Sequence, residues 1–413
     1  MLTRYIKNTL YYVKKYGFLE TIKATPAFVK KHYGIDFLPK AYDSKFQEEI
    51  IVKELKPSVK SIAFYLPQFH CIPENDMWWG EGFTEWTNTY KAKPRFDGHY
   101  QPRIPHDDIG RYDLSDVNTI KKQIDIAKRH GIYGFCLYYY WFSGKKLLEK
   151  PLDLIYENKD IDFNYCVCWA NENWTRTWSG ADENVLIKQE YKEQDPDLFM
   201  EDISKYLLDE RYIKVDGKPV ILVYNPREMK DVCGVLKRWR EYAKKLGLVD
   251  IYILACRTSD MVDDNQEFAE IIDGRVDFPP RNLSFDRRIT IKSMMNRKDG
   301  ASVYDYRKLV KESCKTYKNN EFNKSRYYTC MLGWDNSPRK EKEWHAFYGF
   351  SLKWFARWLR RIIKITIKNH PEDKRFVFIN AWNEWGEGTY LEPDEKYGYA
   401  SINTLTKAIN KAR

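Results

Sequence analysis

From residue 61 onward, short apolar runs alternate with longer segments in which apolar residues return every three or four positions. The first kind predicts strands and the second helices, and their alternation predicts parallel βαβ units. The strand runs are SIAFYLP (61–67), YGFCLYYY (133–140), YCVCWAN (165–171), PVILVYN (219–225), IYILAC (251–256), IIDGRVDF (271–278), YYTCMLGW (327–334) and FVFINAW (376–382). Several are apolar throughout, as expected when both faces of a strand are covered. Eight runs is the number a closed barrel needs. Between them, DVNTIKKQIDIAKRHG opens at Ser115 or Asp116 as N-cap and stops at Gly131, and CGVLKRWREYAKKLG stops at Gly247. YGFSLKWFARWLRRIIKITIKN ends before Pro371, and a short last helix is expected over roughly residues 399–411. The predicted fold is α/β, a (β/α)8 TIM-type barrel over residues 59–413 with an N-terminal helical extension over residues 1–58 and long βα loops.

Two stretches depart from this rhythm. Residues 68 to about 115 are long and aromatic, which marks a functional loop after the first strand rather than a separate domain. Residues 1–58 are Lys-rich, with Tyr5, Ile6, Leu10, Tyr11, Val13, Tyr16 and Phe18 at helical spacings. Two readings fit: peripheral contact with an anionic membrane through residues 1–35, or a helical extension packed on the barrel.

Active sites of such barrels form at the C-terminal ends of the strands. Polar and aromatic residues gather there: Gln68 and His70 after the first run, with Tyr65 inside it, then Tyr139, Tyr140 and Trp141 at the second. The third ends in Trp169, Asn171, Glu172, Asn173 and Trp174, the fourth in Asn225 and Arg227, the fifth in Arg257, and the seventh in Trp334, Asp335 and Arg339. The eighth delivers Asn383, Glu384 and Glu387 within NAWNEWGEGTYLEP. Residues three apart share one face of a helical turn, so both carboxylates address one ligand. Two adjacent carboxylates resist simultaneous ionisation, which divides them into an acid and a base. Cleavage of a glycosidic bond needs that division. Trp382 and Trp385 are candidate stacking surfaces, and Gly386 and Gly388 permit close backbone approach. In NENWTRTW, Glu172 is a candidate for binding a sugar hydroxyl, with Trp174 or Trp178 as platform. Arg176 suits either an acidic substrate group or a structural salt bridge. In GWDNSPR, Asp335 and Asn336 suit hydroxyls, whereas Ser337 and Pro338 suit an ordinary turn.

Composition narrows the class. Aromatic residues make up 16% of the chain, a high share; core packing accounts for most of them, and aromatic faces also stack on sugar rings. The net charge of +10 is spread along the chain without a recognition motif, so no nucleic-acid partner is expected. The eight cysteines show no C-x-x-C pair, and His70, His99 and His106 form no metal set; reduced thiols, no metal and no cofactor are expected. Phosphate-loop, nucleophile-elbow and dinucleotide motifs are missing, and the D-x-D at Asp160 and Asp162 precedes a strand instead of following one. The first residues lack the apolar core of a secretion signal and no run of 18 apolar residues occurs, which points to a cytoplasmic protein, peripheral at the inner membrane face if the N-terminus binds lipid.

The runs SIAFYLPQFH, EGFTEW, HYQPRIP, GFCLYYYWFSGKKLLEKP, CWANENWTRTW, GWDNSPR and NAWNEWGEGTYLEP together resemble the WbsX-like glycosyltransferases, relatives of glycoside hydrolase family 99, over about residues 60–400. That resemblance implies a (β/α)8 barrel and a role in assembling cell-surface polysaccharide of the O-antigen or capsule type. Its partners would be an oligo- or polysaccharide, lipid-linked in one version. The related hydrolases are endo-acting α-mannosidases with an E-W-x-E-G motif, matched here by Glu384 to Gly388, with Gly386 where they usually carry a larger residue. The resemblance implies that Glu384 acts as base on the sugar 2-hydroxyl and Glu387 as acid/base at the glycosidic oxygen, with retention of configuration. It leaves open glycosyl transfer, hydrolysis, or glycan binding without turnover.

Overall fold

The computed structural model describes residues 45–176, 181–258, 266–283, 299–319 and 325–410, together with residues 13, 14 and 17. Apart from Val13, the helix expected near the N-terminus lies outside the described residues, and with it the choice between lipid contact and packing on the barrel.

Eight strands form the centre: β1 (Lys60–Tyr65), β2 (Ile132–Phe142), β3 (Asn164–Trp169), β4 (Lys218–Val223), β5 (Tyr252–Arg257), β6 (Gly274–Asp277), β7 (Arg326–Met331) and β8 (Phe376–Asn380). Each pairs in parallel with the next. Ser61 of β1 lies opposite Ile132 of β2 on one side and Val377 of β8 on the other, which closes the barrel. All eight apolar runs therefore became barrel strands.

The helices are α1 (Val117–Arg129), α2 (Lys150–Glu157), α3 (Asp195–Leu207), α4 (Val232–Lys245), α5 (Gln266–Ile271), α6 (Tyr306–Asn319), α7 (Leu352–Asn369) and α8 (Ala400–Ile409). Asp116 caps α1 by accepting the Asn118 backbone N–H, and Gly131 follows at φ 79°, where a side chain would be strained. The outer faces of the strands are buried by these helices: Trp169 packs on Phe199 of α3 and Trp239 of α4. Burying one such aromatic contributes roughly 1.5–3 kcal/mol.

The barrel interior is aromatic towards its C-terminal end. The Phe64 ring meets Tyr138, Phe278 and Phe378 at centroid distances of 5.9, 5.0 and 5.6 Å. Beyond the ladders, two asparagine amides prolong the pairing. Asn383 donates to the Leu66 carbonyl and accepts the Leu66 N–H, and Asn171 makes the same pair with Asn225. The loop after β1 packs back onto this end, as the Glu85 N–H donates to the Gln68 carbonyl and the Trp86 indole to the Tyr112 carbonyl. It carries two short helices, Pro73–Trp79 and Glu85–Lys91.

Candidate active site

The chain leaves β8 through a small hairpin in which Asn383–Glu384 pairs antiparallel with Thr389–Tyr390. Trp385–Glu387 forms a single 3-10 turn between them, and Gly388 closes it at φ 63°. Side chains three apart eclipse in such a turn, so Glu384 and Glu387 project to the same side. Both meet Arg339, which comes from the loop after β7. Its Nη2 donates to Glu384 at 2.8 Å, its Nη1 to Glu387 at 2.7 Å, and its Nε to Glu85 at 2.8 Å. One guanidinium thus holds three carboxylates, one from the loop after β1 and two from the turn after β8. The Trp334 indole donates to the second oxygen of Glu387 at 3.1 Å.

Arg339, Glu384 and Glu387 floor a cleft of about 190 Å³ at the C-terminal end of the barrel. Tyr138, Tyr140, Trp174, Tyr224 and Phe278 supply aromatic walls, and Gln68 and Glu172 add polar ones. Trp174 stands edge-on to Tyr140 at 5.0 Å, and Glu172 accepts from Asn225 and Arg281, each at 2.8 Å. The two glutamates differ in access, with side-chain exposure of 7% for Glu384 and 27% for Glu387.

Three carboxylates around one cation cannot all ionise cheaply in a buried volume. Burial raises Glu384 to about 8, with the Glu387 and Glu85 charges adding to the shift and Arg339 opposing it. Burial likewise raises Glu85 to about 7 against the pull of Arg339. At neutral pH the cluster therefore retains a proton. Behind the turn, Glu392 is raised by burial to about 7, although it accepts from Trp385, Tyr112 and Gln123.

Of the residues expected at the site, the fold brings Glu384, Glu387, Gln68, Tyr140, Glu172 and Trp174 to the cleft. Asn173 and Arg339 line it as well, whereas the following lie behind it. Trp382 and Trp385, expected as stacking surfaces, are fully buried: Trp382 packs 5.1 Å from Phe135, and Trp385 stacks on Tyr390 at 3.8 Å. Trp141 faces outward, its indole donating to Asp202, and the buried Trp169 donates to the Trp141 carbonyl. Tyr65 donates to Gln123, and His70 is buried in the first loop away from the cleft lining. Asn171 and Asn383 spend their amides on backbone. Asp335 is a buried anchor that meets His99 at 2.6 Å and accepts from Gln101 at 2.8 Å. Burial would raise its pKa, but His99 and Arg103 hold it well below the usual carboxylate range. The side chains of Arg176 and Trp178 lie outside the described residues.

Sequence reasoning missed Glu85, Tyr138, Tyr224 and Arg281, and gave Arg339 no role. Two signals were present: Tyr138 precedes Tyr140 by the two-residue repeat of a strand face, and Glu85 interrupts an aromatic run in EGFTEW.

A Cβ on Gly386 would overlap the Glu85 carboxylate and come within 3.0 Å of Arg339 Nε. Gly386→Ala should destabilise the protein by about 1–3 kcal/mol, and by clearly less in a Glu85→Ala background. Simple additivity in denaturant titrations would show that Glu85 does not fill that space. The raised pKa of Glu85 has a second consequence. The folded state binds more protons than the unfolded chain between about pH 4.5 and 7, so its stability falls as pH rises through that window. Glu85→Gln should flatten the decline in Tm between about pH 5 and 8, a difference on the order of 3 kcal/mol. An unchanged slope in thermal melts would rule the shift out.

Residues 61–405 match the family model described as Glycosyltransferase WbsX. Two curated proteins from Xanthomonas campestris pv. campestris, both called uncharacterized protein WxcX, are 37% identical over 356 residues. That alignment covers 85% of this chain and 50% of theirs, so the chain spans about half the length of the curated relatives it matches. Among solved structures, a glycoside hydrolase-like protein superposes with a TM-score of 0.53 at 16% identity, covering 91% of this chain and 100% of that one. The GH99 endo-alpha-mannosidase from Bacteroides thetaiotaomicron gives 0.47 at 13% identity, covering 86% and 96%. With its barrel, its strand-end cleft and a family match over most of its length, this chain belongs to the WbsX glycosyltransferase family.

Proposed function

We propose that the cleft makes or processes glycosidic bonds during assembly of cell-surface polysaccharide, with Glu384 and Glu387 as its acid/base pair and with retention of configuration. The observation that carries this reading is the pair itself, held on one guanidinium at the floor of an aromatic cleft. Glu384 takes the proton of the sugar 2-hydroxyl as that oxygen attacks the anomeric carbon. Glu387 protonates the departing glycosidic oxygen. The acceptor hydroxyl then opens the 1,2-anhydro ring and gives its proton to Glu387, while the sugar O2 recovers its own from Glu384. Two inversions amount to retention. A hydroxyl is a weak acid, and a carboxylate raised to about 8 is a stronger base towards it once ionised.

Transfer to a sugar acceptor is the favoured reading, in keeping with the family. The substrate would be an oligo- or polysaccharide, lipid-linked at the inner membrane face, and the enzyme cytoplasmic. Endo-acting hydrolysis of the α-mannosidase type is the second reading, supported by the exposure of Glu387, which leaves room for water beside it.

Purified protein incubated with the polysaccharide of its source cell and with nucleotide sugars tests these readings. Free nucleotide is the expected product; a shortened glycan would favour hydrolysis, and binding without turnover would end the catalytic reading. Glu384→Gln and Glu387→Gln should each lower turnover by at least about 100-fold, and an undiminished Glu387→Gln enzyme would overturn the assignment. kcat/KM should rise with pH as Glu384 loses its proton near 8. Glu85→Gln removes one of the charges that raise Glu384, so the rising limb should move to lower pH. A profile that falls across that range would make Glu384 the acid.

A further inference from the structure

The outer face of α7 is basic along its whole length. Its exposed positions are Lys353, Arg357, Arg360, Lys364, Ile367 and Lys368, and the helix contains no acidic residue. The five basic side chains make no ion pair with any described residue. Spaced by four, three, four and four positions, they form one row about 22 Å long. The neighbouring α6 extends the patch through Lys311 and Lys315, with Glu312 as its exposed acid among the described residues. Such a row on α7, joined by the two lysines of α6, raises the local potential and attracts a polyanion.

We propose that this face docks the barrel side-on against an anionic lipid bilayer. The apolar side of α7 is already spent, since Phe355, Trp358, Leu359 and Ile362 are buried against the barrel. The helix therefore cannot insert, and its contact is electrostatic. A straight row on a convex face fits a flat charged plane. It suits a sugar chain poorly, because the Trp354 ring is occupied by Lys311 at 5.3 Å and Arg357 at 5.2 Å from its centroid. Helices of this fold run alongside the strands, so docking on α7 leaves the cleft at the strand ends open, level with the membrane surface.

The test uses the full chain and vesicles of phosphatidylcholine with or without phosphatidylglycerol. The protein should sediment with the anionic vesicles alone and be released by about 0.5 M salt. Arg357→Glu/Arg360→Glu/Lys364→Glu should weaken binding at least about tenfold, each basic residue near such a surface being worth roughly fivefold. Lys230→Glu/Lys244→Glu/Lys245→Glu makes the same change in net charge at exposed sites elsewhere and should bind nearly as the parent does. Circular dichroism checks the fold of both, and Arg360→Gln/Lys364→Gln, expected to lose at least about fivefold, serves if the charge-reversed protein fails to fold. Equal loss in the two triple variants, or none in the first, would overturn the proposal. Tighter binding to soluble polygalacturonate than to the vesicles would also overturn it, in favour of an acidic glycan.

Discussion

The C-terminal end of this barrel is organised around the guanidinium of Arg339. It is bonded to three carboxylates at 2.7 or 2.8 Å, two of them buried. Buried ion clusters are weak sources of net stability, because desolvation offsets most of the attraction. Their geometry is nevertheless strict, since removing one partner leaves a buried charge uncompensated. The cluster therefore locks together three segments that the chain keeps far apart: the loop after β1, the loop after β7 and the turn after β8. The supporting contacts serve the same register. The Asp335 N–H donates to the Glu387 carbonyl, and Glu392 fixes the Trp385 indole.

The same arrangement bears on chemistry. A guanidinium shared by too many carboxylates leaves a proton in the site, and burial decides which groups keep it. Glu384 is nearly closed off, and burial raises its pKa, whereas Glu387 is open to the cleft, so two residues of one turn differ in access. Gly386 is part of this balance. The missing side chain there makes room for the Glu85 carboxylate, so the identity of the residue between the two glutamates governs whether a third charge reaches them.

The cleft depends equally on the scaffold beneath it. Asn171 and Asn383 extend strand pairing past the ends of the ladders by mimicking a peptide group, which holds the loops at a fixed height above the barrel. Tyr138, Tyr224 and Phe278 continue the interior aromatic layer upward into the cleft wall. Core packing and ligand surface are thus one continuous set of rings.

By itself, the sequence determined the barrel and the strand-end positions of its polar and acidic residues. Strands buried on both faces must be apolar throughout, and helices covering them must repeat every three to four residues, so both appear as local patterns in the chain. The Glu384 and Glu387 pair was equally legible, because two acids directly after an apolar strand stand where a barrel of this kind gathers its reactive groups. What local pattern could not decide was the direction in which large side chains point. Trp174 lines the cleft while Trp141, Trp169, Trp382 and Trp385 fill the core, since tryptophan serves either purpose and the surrounding tertiary packing decides which. Nor could it pair Glu85 with Arg339 across 254 residues. That contact exists only because closing the barrel brings the loop after β1 beside those after β7 and β8, and an ion cluster built from distant segments leaves no periodic trace in any of them.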